Sequence, residues 1–261
     1  MDKIFFFIPF GYFIKTRLNT RAAVSFHGYS EFLLGILLLL YSGISFAQAL
    51  LNFFTAYFAF ISIYEIGYIT NDFISVRFEK NARHRLKDYD PGITIVVLWI
   101  IIRLFVFIAI SYFKGFIFLQ EWWVFYLGLG VVFFLHNILK RNEIKILTFI
   151  SLAFFRFYAP VFIFFSPAFF SATLPGIILF YILFRTFTYM DSKQLLVIPS
   201  RSSLSFKFNF YLLLLPVSIF ISFFLSNWLC LWLNLYFLFF WSTLFLLDKL
   251  SVISVSDLRT E

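Results

Sequence analysis

The stretch Ile93–Phe113, ITIVVLWIIIRLFVFIAISYF, decides the fold class of this chain. Its 21 residues contain one charged side chain, Arg103, and neither proline nor glycine. About 20 predominantly apolar residues in a helix match the thickness of the hydrocarbon core of a bilayer, so the stretch predicts a membrane-spanning helix. Arg103 lies deep in this span, where a structural ion pair in the protein interior is the favoured interpretation.

The composition extends this interpretation to nearly all of the 261 residues. Hydrophobic residues make up 62% of the sequence and charged residues 13%, and the mean hydropathy is +0.93. A soluble domain carries roughly 25% charged residues, so this chain has too few charges to cover its apolar surface. We therefore expect an all-α integral membrane protein, folded as one polytopic domain over residues 1–261.

Further apolar runs of spanning length follow one another along the chain. They predict eight membrane helices, with the basic N-terminal segment 1–31 as an interfacial or half-inserted ninth element. The eight runs are Phe32–Leu51, Phe53–Thr70, Ile93–Phe113, Phe116–Leu135, Ile146–Phe165, Phe169–Phe187, Phe208–Leu225 and Trp228–Leu247.

Basic residues are distributed unevenly over the connections between these runs. Every second connection is rich in lysine and arginine, whereas the other set carries Lys114 as its only basic residue. Because positive charge resists translocation, the basic loops and both termini are predicted to be cytoplasmic, in the inner membrane of a bacterium. The net charge of +8 then indicates contact with anionic membrane lipids and no nucleic acid. The two longest loops, 71–92 and 188–207, belong to this basic set and are predicted to build the functional site.

The first of these loops holds the most informative polar pattern. Asn71 and Asp72 end an apolar run, Glu79 follows two helical turns after Asp72, and a basic run containing Arg83 and Arg85 comes next. Carboxylates beside guanidinium groups can hold Mg²⁺ on phosphate oxygens while the arginines bind other oxygens directly. A solvated loop with ion pairs at a helix end is the alternative interpretation.

This pattern resembles the first aspartate-rich motif of the UbiA-type intramembrane prenyltransferases, Asn-Asp-x-x-Asp-x-x-x-Asp followed by a basic tract. Asn71 and Asp72 match its opening and Glu79 its last acid, whereas Ser75 stands at the middle acid. Two later stretches agree with the family in position. They are Lys140-Arg141 before the fifth run, and Asp191 after the sixth run, where the family has its second acidic motif.

The resemblance implies a horseshoe of helices around a lipid-open cavity. An isoprenoid phosphate or diphosphate would bind at its cytoplasmic mouth with Mg²⁺, and its prenyl group would pass to a small-molecule co-substrate. By this resemblance Asp72, Glu79 and Asp191 are metal ligands and catalytic residues, and Asn71 orients the site. The implied phosphate-binding residues are Arg83, Arg85, Lys140, Arg141, Arg185 and Lys193.

Two polar residues lie within the fifth run, next to a proline. Arg156 and Tyr158 precede Pro160, and ionisable side chains inside a span are costly unless they have a function or a partner. Arg156 either reaches a phosphate in the cavity, with Tyr158 as a neighbouring contact, or pairs with Glu65. The sequence leaves both interpretations open.

Two further functions are compatible with the sequence. One is the transfer of phosphoribose to a polyprenyl phosphate, as in another branch of the same family, for lipid-linked sugar synthesis. The other is a transporter or accessory subunit without enzymatic activity. If the chain is a transferase, Asp72→Asn is expected to abolish turnover with the fold intact. The oligomeric state is left open.

Overall fold

The structure, a computed structural model, describes residues 3–74 and 91–252. Within these residues every regular element is a helix, and seven helices are long and apolar enough to cross a membrane. The predicted all-helical class is confirmed, and the seven helices support an integral membrane protein. The helices are α1 (Gly11–Arg17), α2 (Arg21–Tyr41), α3 (Phe46–Phe73), α4 (Gly92–Phe113), α5 (Gln120–Ile138), α6 (Asn142–Tyr158), α7 (Pro167–Ser192), α8 (Leu204–Phe224) and α9 (Leu229–Lys249).

The first spanning helix starts earlier than predicted, at Arg21 rather than near Phe32. Hydropathy alone excludes His27 and Glu31 from a span because both side chains are polar. In the structure they bind each other, with His27 Nδ1 2.8 Å from a Glu31 carboxylate oxygen. Pairing of this kind lowers the cost of burying polar groups, so the helix continues through them.

The turn between the first two spans is also misplaced by the sequence prediction, which sets it near Asn52. The chain turns at residues 42–45, where Gly43 has a φ of +94°. Glycine adopts this left-handed conformation readily because it lacks a Cβ atom. Asn52 instead lies inside α3, where its side-chain oxygen accepts a hydrogen bond of 2.6 Å from Gln48.

The fifth predicted span, Ile146–Phe165, is shorter in the structure. Its helix, α6, ends at Tyr158 after 17 residues and is not among the seven helices of spanning length. Pro160 follows, and proline disfavours helical geometry at the preceding residue and cannot donate the next helical hydrogen bond. The prediction of eight or nine spanning helices is therefore not confirmed by the described residues.

The chain divides into two compact units. Unit 1 comprises Met1–Asn19, Gly35–Lys140 and Phe155–Phe164. Unit 2 comprises Thr20–Leu34, Arg141–Phe154 and Phe165–Glu261. The sequence predicts a single polytopic domain and a horseshoe arrangement of its helices, and both stay predictions.

The N-terminal segment packs into the interior of unit 1. Phe6, Tyr12 and Phe13 are at most 1% exposed. The rings of Phe6 and Tyr12 lie 5.4 and 6.4 Å from that of Trp99, between centroids. Residues 6–13 of the segment 1–31 that was predicted to be interfacial are therefore packed within this unit, where α3 supplies an acceptor for their backbone, as described below. Residues 21–31 instead belong to α2.

Unit 2 contains two π-helical segments within its long helices. One is Gly28–Leu33 in α2 and the other is Ile177–Ile182 in α7. Segments of this kind are rare in proteins overall, and those that occur are often found at functional sites.

Tyr29 and Tyr236 hold α2 against α9, since the hydroxyl of each donates to the backbone carbonyl of the other at 2.8 and 2.7 Å.

Candidate functional site

Asp72, the central residue of the predicted motif, binds the N-terminal segment within unit 1. One carboxylate oxygen accepts hydrogen bonds from the Tyr12 hydroxyl at 2.7 Å and from Arg17 at 2.9 Å. The other oxygen accepts from Arg17 and from the Asn71 amide, both at 3.2 Å. Asn71 thus contacts Asp72, while its expected role in a catalytic site stays a prediction. Asp72 also pairs with Arg17, which the sequence analysis did not assign to the site.

Glu65 lies two helical turns before Asp72 in α3 and forms a second buried ion pair. Arg103 Nε donates to it at 2.8 Å, and both side chains are fully buried. The backbone N–H groups of Phe10 and Phe13 also donate to Glu65, at 3.0 and 2.6 Å. The predicted structural pairing of Arg103 is confirmed. Glu65 satisfies both a buried guanidinium and two backbone donors of the N-terminal segment.

Arg156 belongs to an aromatic cluster in unit 1. Its Nη1 donates to the Tyr68 hydroxyl at 3.0 Å, and its guanidinium lies 5.0 Å from the centroid of the Phe13 ring. Arg17 lies over the Tyr68 ring at 4.2 Å. Tyr158 is fully buried. Both predicted residues are therefore packed into the unit, and their expected contact with a phosphate stays a prediction.

Asp191, the second predicted metal ligand, lies in unit 2 near the end of α7. One oxygen accepts a hydrogen bond from Arg201 Nε, and the other accepts from the backbone N–H of Ile198 at 3.2 Å. These contacts fold the connection after α7 back onto the helix end. The convergence of Asp72 with Asp191 stays a prediction because the two residues belong to different units.

Beside Asp191, unit 2 encloses a pocket of about 450 Å³. Its cationic lining consists of Arg185, Arg201 and Lys207. Thr188, Tyr189 and Ser192 add hydroxyl groups. The pocket lies where α7 ends and α8 begins, at the loop that the sequence predicts to be cytoplasmic.

Aromatic rings form a second part of the pocket lining, the aromatic wall. The rings of Phe26, Phe184 and Trp241 lie 5.8 to 6.2 Å apart between centroids. Phe149 stacks on Tyr189 at 4.2 Å. Lys207 Nζ lies 4.6 Å from the Trp241 ring centroid, in the range of a cation–π contact. Cations and an aromatic wall in one pocket suit a ligand with an anionic head and an apolar body.

Arg185 connects this pocket to a buried carboxylate. Its Nη1 lies 3.3 Å from Glu31, and Glu31 also accepts a hydrogen bond of 2.7 Å from the Tyr181 hydroxyl. Arg201 contacts Asp191 through Nε, so its two terminal nitrogens are not committed to that pair. The pocket therefore carries guanidinium donors that can bind phosphate oxygens directly.

The remaining predicted phosphate-binding residues divide into two groups. Lys140, Arg141 and Lys193 are solvent-exposed at helix ends, and Lys193 does not line the pocket. Glu79, Arg83 and Arg85 lie outside the described residues.

The predicted Mg²⁺ site stays a prediction, because Glu79, one of its three predicted ligands, lies outside the described residues. Within residues 3–74 and 91–252, no group of three or more His, Cys, Asp or Glu side chains is placed to hold a metal ion. Both oxygens of Asp72 and of Asp191 receive hydrogen bonds from protein donors. In the described residues these two carboxylates therefore serve as acceptors for protein donors.

Sequence reasoning missed four functional candidates, namely Arg17, Glu31, Arg201 and Lys207. All four lie in segments that the sequence analysis assigned to the N-terminal basic segment 1–31 or to the loop 188–207. The signal that could have identified Glu31 is its position directly before the apolar run Phe32–Leu51, since a carboxylate within a membrane helix is a functional candidate by default.

No protein-family model matches this chain, and no curated protein or solved structure is significantly similar to it.

Proposed function

We propose that the protein is an intramembrane transferase that binds an isoprenoid phosphate or diphosphate in the pocket of unit 2. The phosphate group contacts Arg185, Arg201 and Lys207, and the first isoprene units lie against the aromatic wall. The observation that carries the proposal is this combination of cations and packed aromatic rings in one pocket at the helix ends. The resemblance of residues 71–79 to a prenyltransferase motif supports the transfer step.

In this reaction the bond between the allylic carbon and the phosphate oxygen breaks, and its electron pair stays on the departing phosphate. The carbon forms a bond to the nucleophilic atom of the acceptor, which loses a proton. The three cations stabilise the negative charge that develops on the leaving group. The aromatic rings present their negative faces to the allylic cation.

A second candidate function is binding and delivery of the same lipid without turnover. The ion pairs of Asp72 and Asp191 favour this second candidate, because Arg17 contacts Asp72 and Arg201 contacts Asp191. A site that binds phosphate by direct cation contact needs no metal to retain its ligand. Both candidates share the pocket and differ in whether the lipid reacts.

Equilibrium binding by the purified full-length protein tests the shared claim. The probes are farnesyl phosphate and farnesol, which have the same apolar chain and differ in the charged head. We expect farnesyl phosphate to bind at least about tenfold more tightly, because a charge-assisted hydrogen bond is stronger than a neutral one. Equal affinity for the two probes would overturn both candidate functions.

Release of diphosphate from farnesyl diphosphate, measured with a total lipid extract as the source of acceptors, separates the two candidates. Turnover above that of an Arg185→Gln variant supports the transferase. Tight binding with no release of diphosphate overturns the transferase and supports the carrier.

A further inference from the structure

The geometry assigns a positioning role to Glu31, which holds Arg185 in the pocket of unit 2 through a network shared by two helices. This inference rests on the proposed binding of a phosphate in that pocket and identifies the residues that set its affinity. Glu31 and Tyr181 do not line the pocket, and they act through Arg185.

Glu31 is the centre of a compact polar network in the interior of unit 2. Its side chain is 3% exposed. It accepts hydrogen bonds from Tyr181 at 2.7 Å and from His27 Nδ1 at 2.8 Å, and Arg185 Nη1 lies at 3.3 Å. A carboxylate buried in a membrane helix is costly unless donors surround it. These three donors explain how this one is stabilised.

Both of the π-helical segments in unit 2 contribute to the network. Glu31 lies in the segment of α2, and Tyr181 lies in the segment of α7. Their hydrogen bond therefore joins the two segments directly. Tyr181 is four residues before Arg185, so the two side chains share one face of α7, and the guanidinium lies 5.3 Å from the Tyr181 ring centroid.

The network holds Arg185 in place but does not use all of its hydrogen-bond donors. Its contact with Glu31 is the longest of the three, and it uses one terminal nitrogen. Among the described residues, Arg185 Nε is buried and has no hydrogen-bond partner. The side chain of Arg185 is nevertheless 23% exposed and lines the pocket. An arginine that is fixed in place and still reaches a pocket is suited to bind a phosphate oxygen, since little side-chain freedom remains to be lost.

The test compares Tyr181→Phe with Tyr236→Phe in the full-length protein. Both substitutions remove one tyrosine hydroxyl from unit 2, but the Tyr236 hydroxyl donates to the Tyr29 carbonyl away from Arg185. We expect Tyr181→Phe to weaken binding of farnesyl phosphate about tenfold, as is typical for a hydrogen bond to a charged group. Binding of farnesol and the behaviour of Tyr236→Phe are expected to match the wild type.

A double-mutant cycle separates positioning from a general structural effect. In an Arg185→Gln background, Tyr181→Phe is expected to cause no further loss of affinity, because the residue it positions is gone. Equal losses in both backgrounds, or no loss in the wild-type background, would overturn the inference while leaving the proposed function intact. Failure of the wild-type protein to prefer farnesyl phosphate over farnesol would instead overturn the proposed function itself, and this inference with it.

Discussion

Arg17 and Asp72 form a salt bridge of 2.9 Å inside unit 1, although 55 residues separate them in the sequence. Asp72 is the residue that the sequence presents most clearly as a metal ligand. In the structure it anchors the N-terminal segment, together with the Tyr12 hydroxyl. The contact gives Asp72 a structural role that is independent of any reaction.

Arg17→Gln is expected to lower the free energy of unfolding by roughly 2–4 kcal/mol, because it removes a cation that contacts a largely buried carboxylate. Denaturation of the purified protein in detergent measures the effect. Lys15→Gln is the matched control, since Lys15 is an exposed cation on the same short helix. Equal stability of the two variants would contradict the structural role of the salt bridge. Asp72→Asn is also expected to be destabilising, because it leaves Arg17 without the carboxylate it contacts. The expectation from the sequence that this variant keeps its fold intact therefore no longer applies.

Glu65→Gln is expected to destabilise the protein by roughly 3–5 kcal/mol, since it leaves Arg103 buried without a counter-charge. It also weakens the acceptor of the Phe10 and Phe13 amides. Hydrogen exchange at these two amides is therefore expected to accelerate. Glu121→Gln, at an exposed carboxylate at the start of α5, should leave exchange and stability unchanged. Slow exchange that persists at Phe10 and Phe13 in Glu65→Gln would refute this account.

Gly67→Ala is expected to destabilise unit 1 by about 1–3 kcal/mol, as is typical of overpacking. A Cβ atom at Gly67 would overlap the ring of Phe133, whereas one at Gly130 would meet no atom within 4 Å. Gly130→Ala therefore serves as the control and is expected to be neutral or slightly stabilising, because alanine favours the helix. Thermal unfolding of the two variants compares them directly, and equal transition temperatures would argue against the close approach of α3 and α5.

Chelation of divalent cations by EDTA is expected to leave the affinity for farnesyl phosphate within about twofold of its original value. The reason is that the pocket supplies its positive charge from arginine and lysine, which bind phosphate oxygens directly. Equilibrium binding before and after addition of EDTA measures this. Loss of binding that Mg²⁺ restores, and Na⁺ at equal ionic strength does not, would show that a metal site completes the pocket.

The helical class and most of the span positions could be predicted because they depend on long runs of apolar residues. The predicted Ile93–Phe113 and the observed α4 differ by a single residue at the start. The first two spans were placed wrongly because hydropathy assigns His27 and Glu31 to water, and their mutual hydrogen bond is not visible in a one-dimensional profile.

The site could be predicted only in part. Asp72, Asp191 and Arg185 were identified as polar residues at or near helix ends, and all three form ion pairs in the structure. Their partners were missed because Arg17, Arg201 and Glu31 lie 10 to 154 residues away in the chain. Pairing across such separations depends on packing, which composition and spacing do not encode.

The binding of farnesyl phosphate to Arg201→Gln and Lys207→Gln, with Lys193→Gln as the control, tests the proposed pocket most directly. All three variants lose one positive charge, but only Arg201 and Lys207 line the pocket, and Lys193 is exposed outside it. The account predicts that each pocket variant binds about tenfold more weakly, while Lys193→Gln keeps the wild-type affinity. Equal affinities for all three variants would contradict the assignment of the pocket as the phosphate site.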